Sequence, residues 1–152
     1  NMTRLINQRT VMHKRHFHLR LSCTYQTDKN EIDQLQVEVL KDDAWEALEL
    51  SIRSPGFLLF INGLFTCQHL YMRKNCAERG LILRAGKGEL QIDTDEVWEV
   101  TRADASFDVE LQSGVPSEDD LAYILERMKH CPVSSNILER IPLHNAVNFI
   151  PA

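Results

Sequence analysis

From Ser54 to Met72 the chain carries no aspartate, glutamate, lysine or arginine, and nothing else in it limits the possible folds as strongly. Pro55 stands where proline suits the first turn of a helix. Phe57, Leu58, Leu59, Phe60 and Ile61 then point all round a helical wheel, which predicts a helix covered on every side. The second half turns amphipathic and closes at Gly80, after Arg73, Lys74 and Arg79 in the final turns. A helix over 56–79 is roughly 36 Å long, and is expected to be the central pillar of the fold. The length also suits a membrane span, but Asn62, Thr66, Gln68 and His69 interrupt the apolar run, so no membrane is expected as a partner.

Strand-like alternation surrounds this helix. From His16 to Tyr25, residues Phe17, Leu19, Leu21 and Cys23 share one face and His16, His18 and Arg20 the other. Residues 34–40 alternate again, with Leu35, Val37 and Val39 inward, while 45–52 fits strand or helix equally. Residues 81–92 and 97–112 read as two strands joined by a polar turn, and Gly86-Lys87-Gly88 reads as a turn rather than a phosphate loop. Ser117 and Asp120 resemble a capping box ahead of Leu121, Ile124, Leu125 and Met128, whose spacing predicts a helix over 118–130. Cys131-Pro132 stops it. A short helix from Val133 to about Glu139 and a strand near 145–150 complete an α+β order. With no repeat or linker, residues 2–152 form one expected domain, with 1–15 as a basic N-terminal arm; Asn1, ahead of Met2, reads as extraneous.

Net charge of −5 argues against a nucleic-acid binder, which needs clustered positive charge. The average hides an asymmetry: residues 1–22 hold Arg4, Arg9, Lys14, Arg15 and Arg20 and no acid, so the remainder is −10. An arm docking an acidic partner is the weaker reading of that asymmetry, because charges so spread are ordinary on a solvated edge. Four cysteines without a Cys-x-x-Cys pair exclude a zinc ribbon and a disulfide scaffold, and favour a reducing, cytoplasmic compartment. His13, His16 and His18 sit among arginines that repel cations; no metal and no cofactor is expected.

Two cysteines invite chemistry. Cys67 lies in the middle of the apolar helix, where a free cysteine is ordinarily a small hydrophobe. Cys131 falls between two helices, with Pro132 at the start of the second, a position that lowers a thiol's pKa and makes the nucleophilic thiolate. His130 beside it could assist. Cys76 is nine residues from Cys67, about 900° round the helix, and so faces the opposite way. Cys23, inward on a strand, reads as core.

Ser54-Pro55, the apolar helix, Cys67 and the trailing Met72-Arg73-Lys74 and Ala77-Glu78-Arg79-Gly80-Leu81 resemble the first cysteine helix of the OsmC/Ohr family. Cys131-Pro132-Val133-Ser134, closing an amphipathic helix, resembles that family's second cysteine motif, and the separation of 64 residues also fits. The resemblance implies an OsmC-like two-layer α+β fold, built as an intertwined homodimer around two long helices. It also implies thiol-dependent reduction of organic hydroperoxides. Cys67 would be the peroxidatic nucleophile and Cys131 the resolving thiol, the resulting disulfide being reduced by an external dithiol of lipoyl type. Phe57, Phe60 and Leu64 would line an apolar substrate pocket. The family's peroxidases activate the nucleophile with a glutamate after the proline and an arginine from the N-terminal part. Here Gly56, Phe57 and Leu58 stand in the glutamate's place, no glutamate precedes Glu78 on the helix, and Arg53, Arg20, Arg15 and His130 are the physical candidates for activation. The alternative is an OsmC-like dimer that binds an apolar ligand without turnover.

Overall fold

The computed structural model describes residues 14–137 and 139–152; the basic arm, including His13, lies almost wholly outside them. The chain enters through β1 (Arg15–Gln26), β2 (Glu31–Lys41) and a short β3 (Ala44–Ala47), then runs through helix α1 (Gly56–Glu78). β4 (Ile82–Thr94) and β5 (Val100–Ser113) follow, then α2 (Glu118–Met128), a 3-10 turn (Ser134–Asn136) and β6 (Leu143–Ile150). The strands form one sheet in the order β3-β2-β1-β4-β5-β6. Every neighbouring pair is antiparallel except β5 and β6. A parallel neighbour requires a crossover, and α2 supplies it.

The period-two pattern assigns the sheet's faces. Leu19, Leu21, Cys23 and Tyr25 of β1 are buried, as are Leu90 and Ile92 of β4 and Phe107, Val109 and Leu111 of β5. α1 lies on this face, its Phe65 and His69 rings stacked on Phe107 at 5.9 and 5.8 Å. The opposite face is polar, with Arg20 bonded to Glu38 and Arg102 to Asp93. α2 begins at the capping box read from the sequence: Ser117 accepts from the Asp120 amide and Asp120 from the Ser117 amide.

Three expectations change. Gly86-Lys87-Gly88 is not a turn but mid-strand in β4. A Cβ on Gly86 would sit 2.6 Å from the Tyr25 hydroxyl, and one on Gly88 2.8 Å from the Phe107 ring; the glycines make room for those rings under the helix. Leu35 is 42% exposed, because the outer end of β2 runs past the cover that α1 provides. α1 itself is buried along one arc only, through Ile61, Leu64, Phe65, Gln68, His69, Met72, Asn75 and Cys76. The other arc is open, with Leu59 39% exposed and Thr66 exposed. No helix among the described residues is long and apolar enough to cross a membrane.

Asn30 fastens the helix to the sheet, and no sequence signal marked it. It turns the β1–β2 hairpin at φ 53°, a conformation asparagine tolerates. Its fully buried side chain donates to the carbonyls of Arg73 and Leu81, both at 3.0 Å, and accepts from the Leu83 amide at 2.8 Å. Truncation strands three buried backbone groups. Asn30→Ala is therefore expected to lower unfolding free energy by about 3 kcal/mol, read as a shift in urea midpoint at unchanged slope.

Candidate active site

The helix brings Cys67 to the segment that follows α2. After Met128 the chain makes a tight turn through Cys131-Pro132, closed by the Ser135 amide on the Cys131 carbonyl at 2.9 Å. Proline keeps the residue before it out of helical angles, which separates α2 from the 3-10 turn. Cys67 and Cys131 lie close enough for each to shift the other's pKa, and the Val133 amide also acts on the Cys67 thiol. All four cysteines are free thiols. Cys67 is partly exposed, on the border of the open arc, while Cys131 is fully buried.

Cys131 is the better solvated of the two by the protein itself. The Ser134 amide lies 3.2 Å from its sulfur, the Ser134 hydroxyl 3.0 Å, and Nε2 of the fully buried Gln68 donates to it at 3.1 Å. Burial pushes the Cys67 thiol above the ordinary range, and the neighbouring Cys131 adds to this. Burial also opposes the Cys131 thiolate, but the nearby Cys67, the Ser134 hydroxyl and amide, and Gln68 outweigh it and pull that thiol down.

Gln68 is a neighbour that composition and motif reading passed over. Its amide also donates to the Met128 carbonyl at 2.9 Å and to the Ser134 hydroxyl at 3.1 Å. Ser134 had stood in the second cysteine motif without a role. A glutamine inside an otherwise apolar helix was the available signal for the first; nothing in the spacing of Ser134 announced its contact with sulfur.

The proposed activating residues are elsewhere. Arg20 lies on the far face of the sheet, bonded to Glu38 at 2.9 Å and stacked over Trp45 at 4.0 Å, because its even position on β1 points away from α1. Arg53 is exposed in the turn before α1, and eleven residues from Gly56 to Cys67 span roughly 17 Å of helix. His130 is exposed and turned to Glu126 at 3.6 Å. Arg15 lies over the Trp98 ring at 3.8 Å. Thus Arg20, Arg53 and His130 are bonded to neither thiol among the described residues.

The expected substrate pocket is also rearranged. Leu64 is sealed in the core. Phe57 packs on Phe17 and Trp98, each with ring centres 5.1 Å away, and Phe60 on Phe57 at 5.9 Å. These rings fill space in the protomer rather than line a cleft. A concavity of about 690 Å³ lined by Ser22, Thr24, Gln36, Lys87 and Asp108 lies instead on the polar face of the sheet, away from the thiols. No group of three or more metal-ligating side chains occurs among the described residues.

On the sheet side of α1, His69 and Tyr25 form a separate buried pair, with the Tyr25 hydroxyl 2.7 Å from His69 Nε2. Burial, aided by Arg73, lowers the His69 pKa to about 4. The unfolded chain therefore binds a proton between about pH 6.5 and 4 that the folded chain refuses, so stability is complete above that window and falls with acidification. The loss should reach roughly 3 kcal/mol. Urea unfolding at pH 7 and 4.5 should show a steeper loss in wild type than in His69→Gln; equal losses would assign the acid sensitivity to carboxylates.

No family model matches the chain, and no curated protein matches it. Solved structures do. An OsmC-like protein from Mycoplasma pneumoniae superposes with a TM-score of 0.50 at 11% identity, over 77% of this chain and 89% of that one. An OsmC-like hydroperoxide resistance protein from Jannaschia sp. CCS1 gives 0.52 at 21% identity, over 80% and 86%. The chain has the OsmC-like α+β fold.

Proposed function

We propose that the protein reduces organic hydroperoxides with the Cys67–Cys131 pair. The observation that carries this reading is the meeting of two free thiols that lie far apart in sequence, with Cys67 beside the bonded cluster of Cys131, Gln68 and Ser134. The name of the Jannaschia neighbour, a hydroperoxide resistance protein, points the same way. Cys67 is the more exposed thiol and so the one a peroxide meets. Its thiolate attacks the distal oxygen, giving Cys67 sulfenic acid and an alkoxide that takes a proton to leave as alcohol. Cys131 then attacks the sulfenic sulfur, forming the disulfide and expelling hydroxide, which is protonated to water. An external dithiol of lipoyl type returns both thiols, in a reducing compartment such as the cytoplasm.

Consumption of cumene hydroperoxide with dihydrolipoamide as reductant is expected to exceed that of hydrogen peroxide and to vanish in Cys67→Ser. No turnover, with Cys67 still a thiol after excess peroxide, would leave a dimer that binds an apolar ligand. That second reading draws support from Arg20, Arg53 and His130, none of which is bonded to either thiol among the described residues.

The open arc of α1 calls for a partner, and a second copy of the chain fits it. Leu59, Phe60, Gly63, Thr66 and Leu70 fall on this side, and the stretch from Ser54 to Met72 is uncharged although the protomer covers only half of it. An added Cβ on Gly63 meets nothing within 4 Å, leaving space for a close helix. Packing two such helices would bury the arc on both copies and enclose the partly exposed Cys67. Thr66→Glu adds charge where the lone protomer is exposed. It should convert a dimeric mass in light scattering to a monomeric one, whereas monomeric wild type would refute the dimer.

A further inference from the structure

We propose that Gln68 is a positioning residue that holds the resting negative charge of the thiol pair on Cys131, making Cys131 the base that receives the Cys67 proton. This deepens the hydroperoxide reading and rests on it for the second step, but the location of the charge stands on geometry alone.

The donors are unevenly divided. Cys131 accepts from the Ser134 amide and from Gln68 Nε2, with the Ser134 hydroxyl also in reach. Cys67 has the Val133 amide beside it. A sulfur that receives several hydrogen bonds carries charge at lower cost than one that receives a single bond. The orientation of the Gln68 amide is fixed independently of sulfur. The Met128 carbonyl, 2.9 Å from Nε2, can only accept, so the nitrogen side of the amide must face the turn. Its oxygen is left buried with no partner among the described residues, a cost borne in exchange for aiming hydrogens at the Met128–Ser134 turn. The Ser134 hydroxyl can add to this. Surrounded by the carbonyls of Met128, Lys129 and Cys131, it has a free rotor that can swing its hydrogen to the sulfur when charge resides there.

Charged neighbours do not override this arrangement. Lys129 and His130, beside Cys131 in sequence, are both turned to Glu126 at 3.3 and 3.6 Å. On α1, Lys74 is exposed and Glu78 accepts from the Tyr123 hydroxyl at 2.9 Å. Arg127 on α2 is exposed, and the buried Tyr25 and His69 are paired with each other.

The consequence is a division of labour that needs no glutamate on the helix before Glu78. The resting pair is a Cys67 thiol beside a Cys131 thiolate. As Cys67 attacks the distal oxygen of the hydroperoxide, its proton passes to the neighbouring Cys131 sulfur. The departing alkoxide then takes that proton back to become alcohol, restoring the Cys131 thiolate. That thiolate attacks the Cys67 sulfenic acid, the disulfide forms, and hydroxide leaves. One thiol, one thiolate and one hydroperoxide thus give one disulfide, one alcohol and one hydroxide, with charge conserved. A nucleophile whose conjugate acid is weak is intrinsically the stronger nucleophile, so the raised affinity of Cys67 for its proton becomes useful once a base is in contact.

Thiolate absorbance in the ultraviolet, titrated on the reduced protein without peroxide, tests the charge assignment. A thiolate titrating below the ordinary thiol range is expected in wild type and in Cys67→Ser, and is expected to be absent in Cys131→Ser. Gln68→Met keeps the size of the side chain and removes its donors; it should raise the midpoint by about one unit, a tenfold loss of thiolate fraction, the equivalent of one hydrogen bond to a charged group. A low-titrating thiolate that survives in Cys131→Ser and disappears in Cys67→Ser would overturn the proposal. So would an unmoved midpoint in Gln68→Met, or no such thiolate in wild type. Because no substrate is present, absence of peroxide turnover leaves this result standing, and turnover with the charge found on Cys67 would keep the reductase while removing Gln68 and Cys131 from these roles.

Discussion

The seating of α1 on the apolar face of the sheet is the contact on which the rest of the molecule depends. It decides which strand residues are core, because only the odd-numbered side of β1 meets the helix. It also decides where Cys67 can go. With Phe65, His69, Met72 and Cys76 turned to the sheet and the core, Gln68 and Cys67 fall progressively further round the helix, toward α2 and then toward the open side. The arrangement is held at one end by Asn30, which bonds to backbone on both the helix and β4. Sliding or rotating α1 by one residue would turn Cys67 by about 100° and break its contact with the turn after α2.

Much of this was legible in the residues. Period-two alternation marked β1, β5 and most of β2, and the capping box marked the start of α2, since these signals arise from local backbone geometry and one buried face. The glycine pair of β4 was misread because a turn and a strand under two aromatic rings make the same demand, the absence of a side chain, for different reasons. The helix was recognised but its surroundings were not: uniform apolarity was read as burial within the fold, whereas the protomer covers one arc and exposes the other. A sequence records that a surface must be covered and does not record by which chain.

The thiol pair shows a similar division. The resemblance pointed to Cys67 and Cys131, while Gln68, which bonds the Cys131 sulfur, came from no motif. Activating a thiol in water ordinarily requires a charged neighbour, and the fold commits Arg20, Arg53 and His130 elsewhere or leaves them in solvent. In a buried site the same end is reachable with neutral donors, since a hydrogen bond to a forming anion strengthens as the surroundings become less polar. An amide and a hydroxyl carry no charge to be counted in a composition, and their effect depends on angle and distance that only the folded chain supplies.

Neutral donors also suit a helix that carries no charged residue before Arg73. An arginine or glutamate on α1 near Cys67 would sit at the edge of the open arc, and closing that arc against another surface would bury an ion at a cost of several kcal/mol unless it found a partner. Gln68 lies instead within the buried arc, on the α2 side, and donates without net charge. The site and the exposed face therefore make compatible demands on one helix: polarity directed inward to sulfur, apolarity directed outward to whatever covers it. Carrying the activation on a glutamine and a second thiol is what permits both.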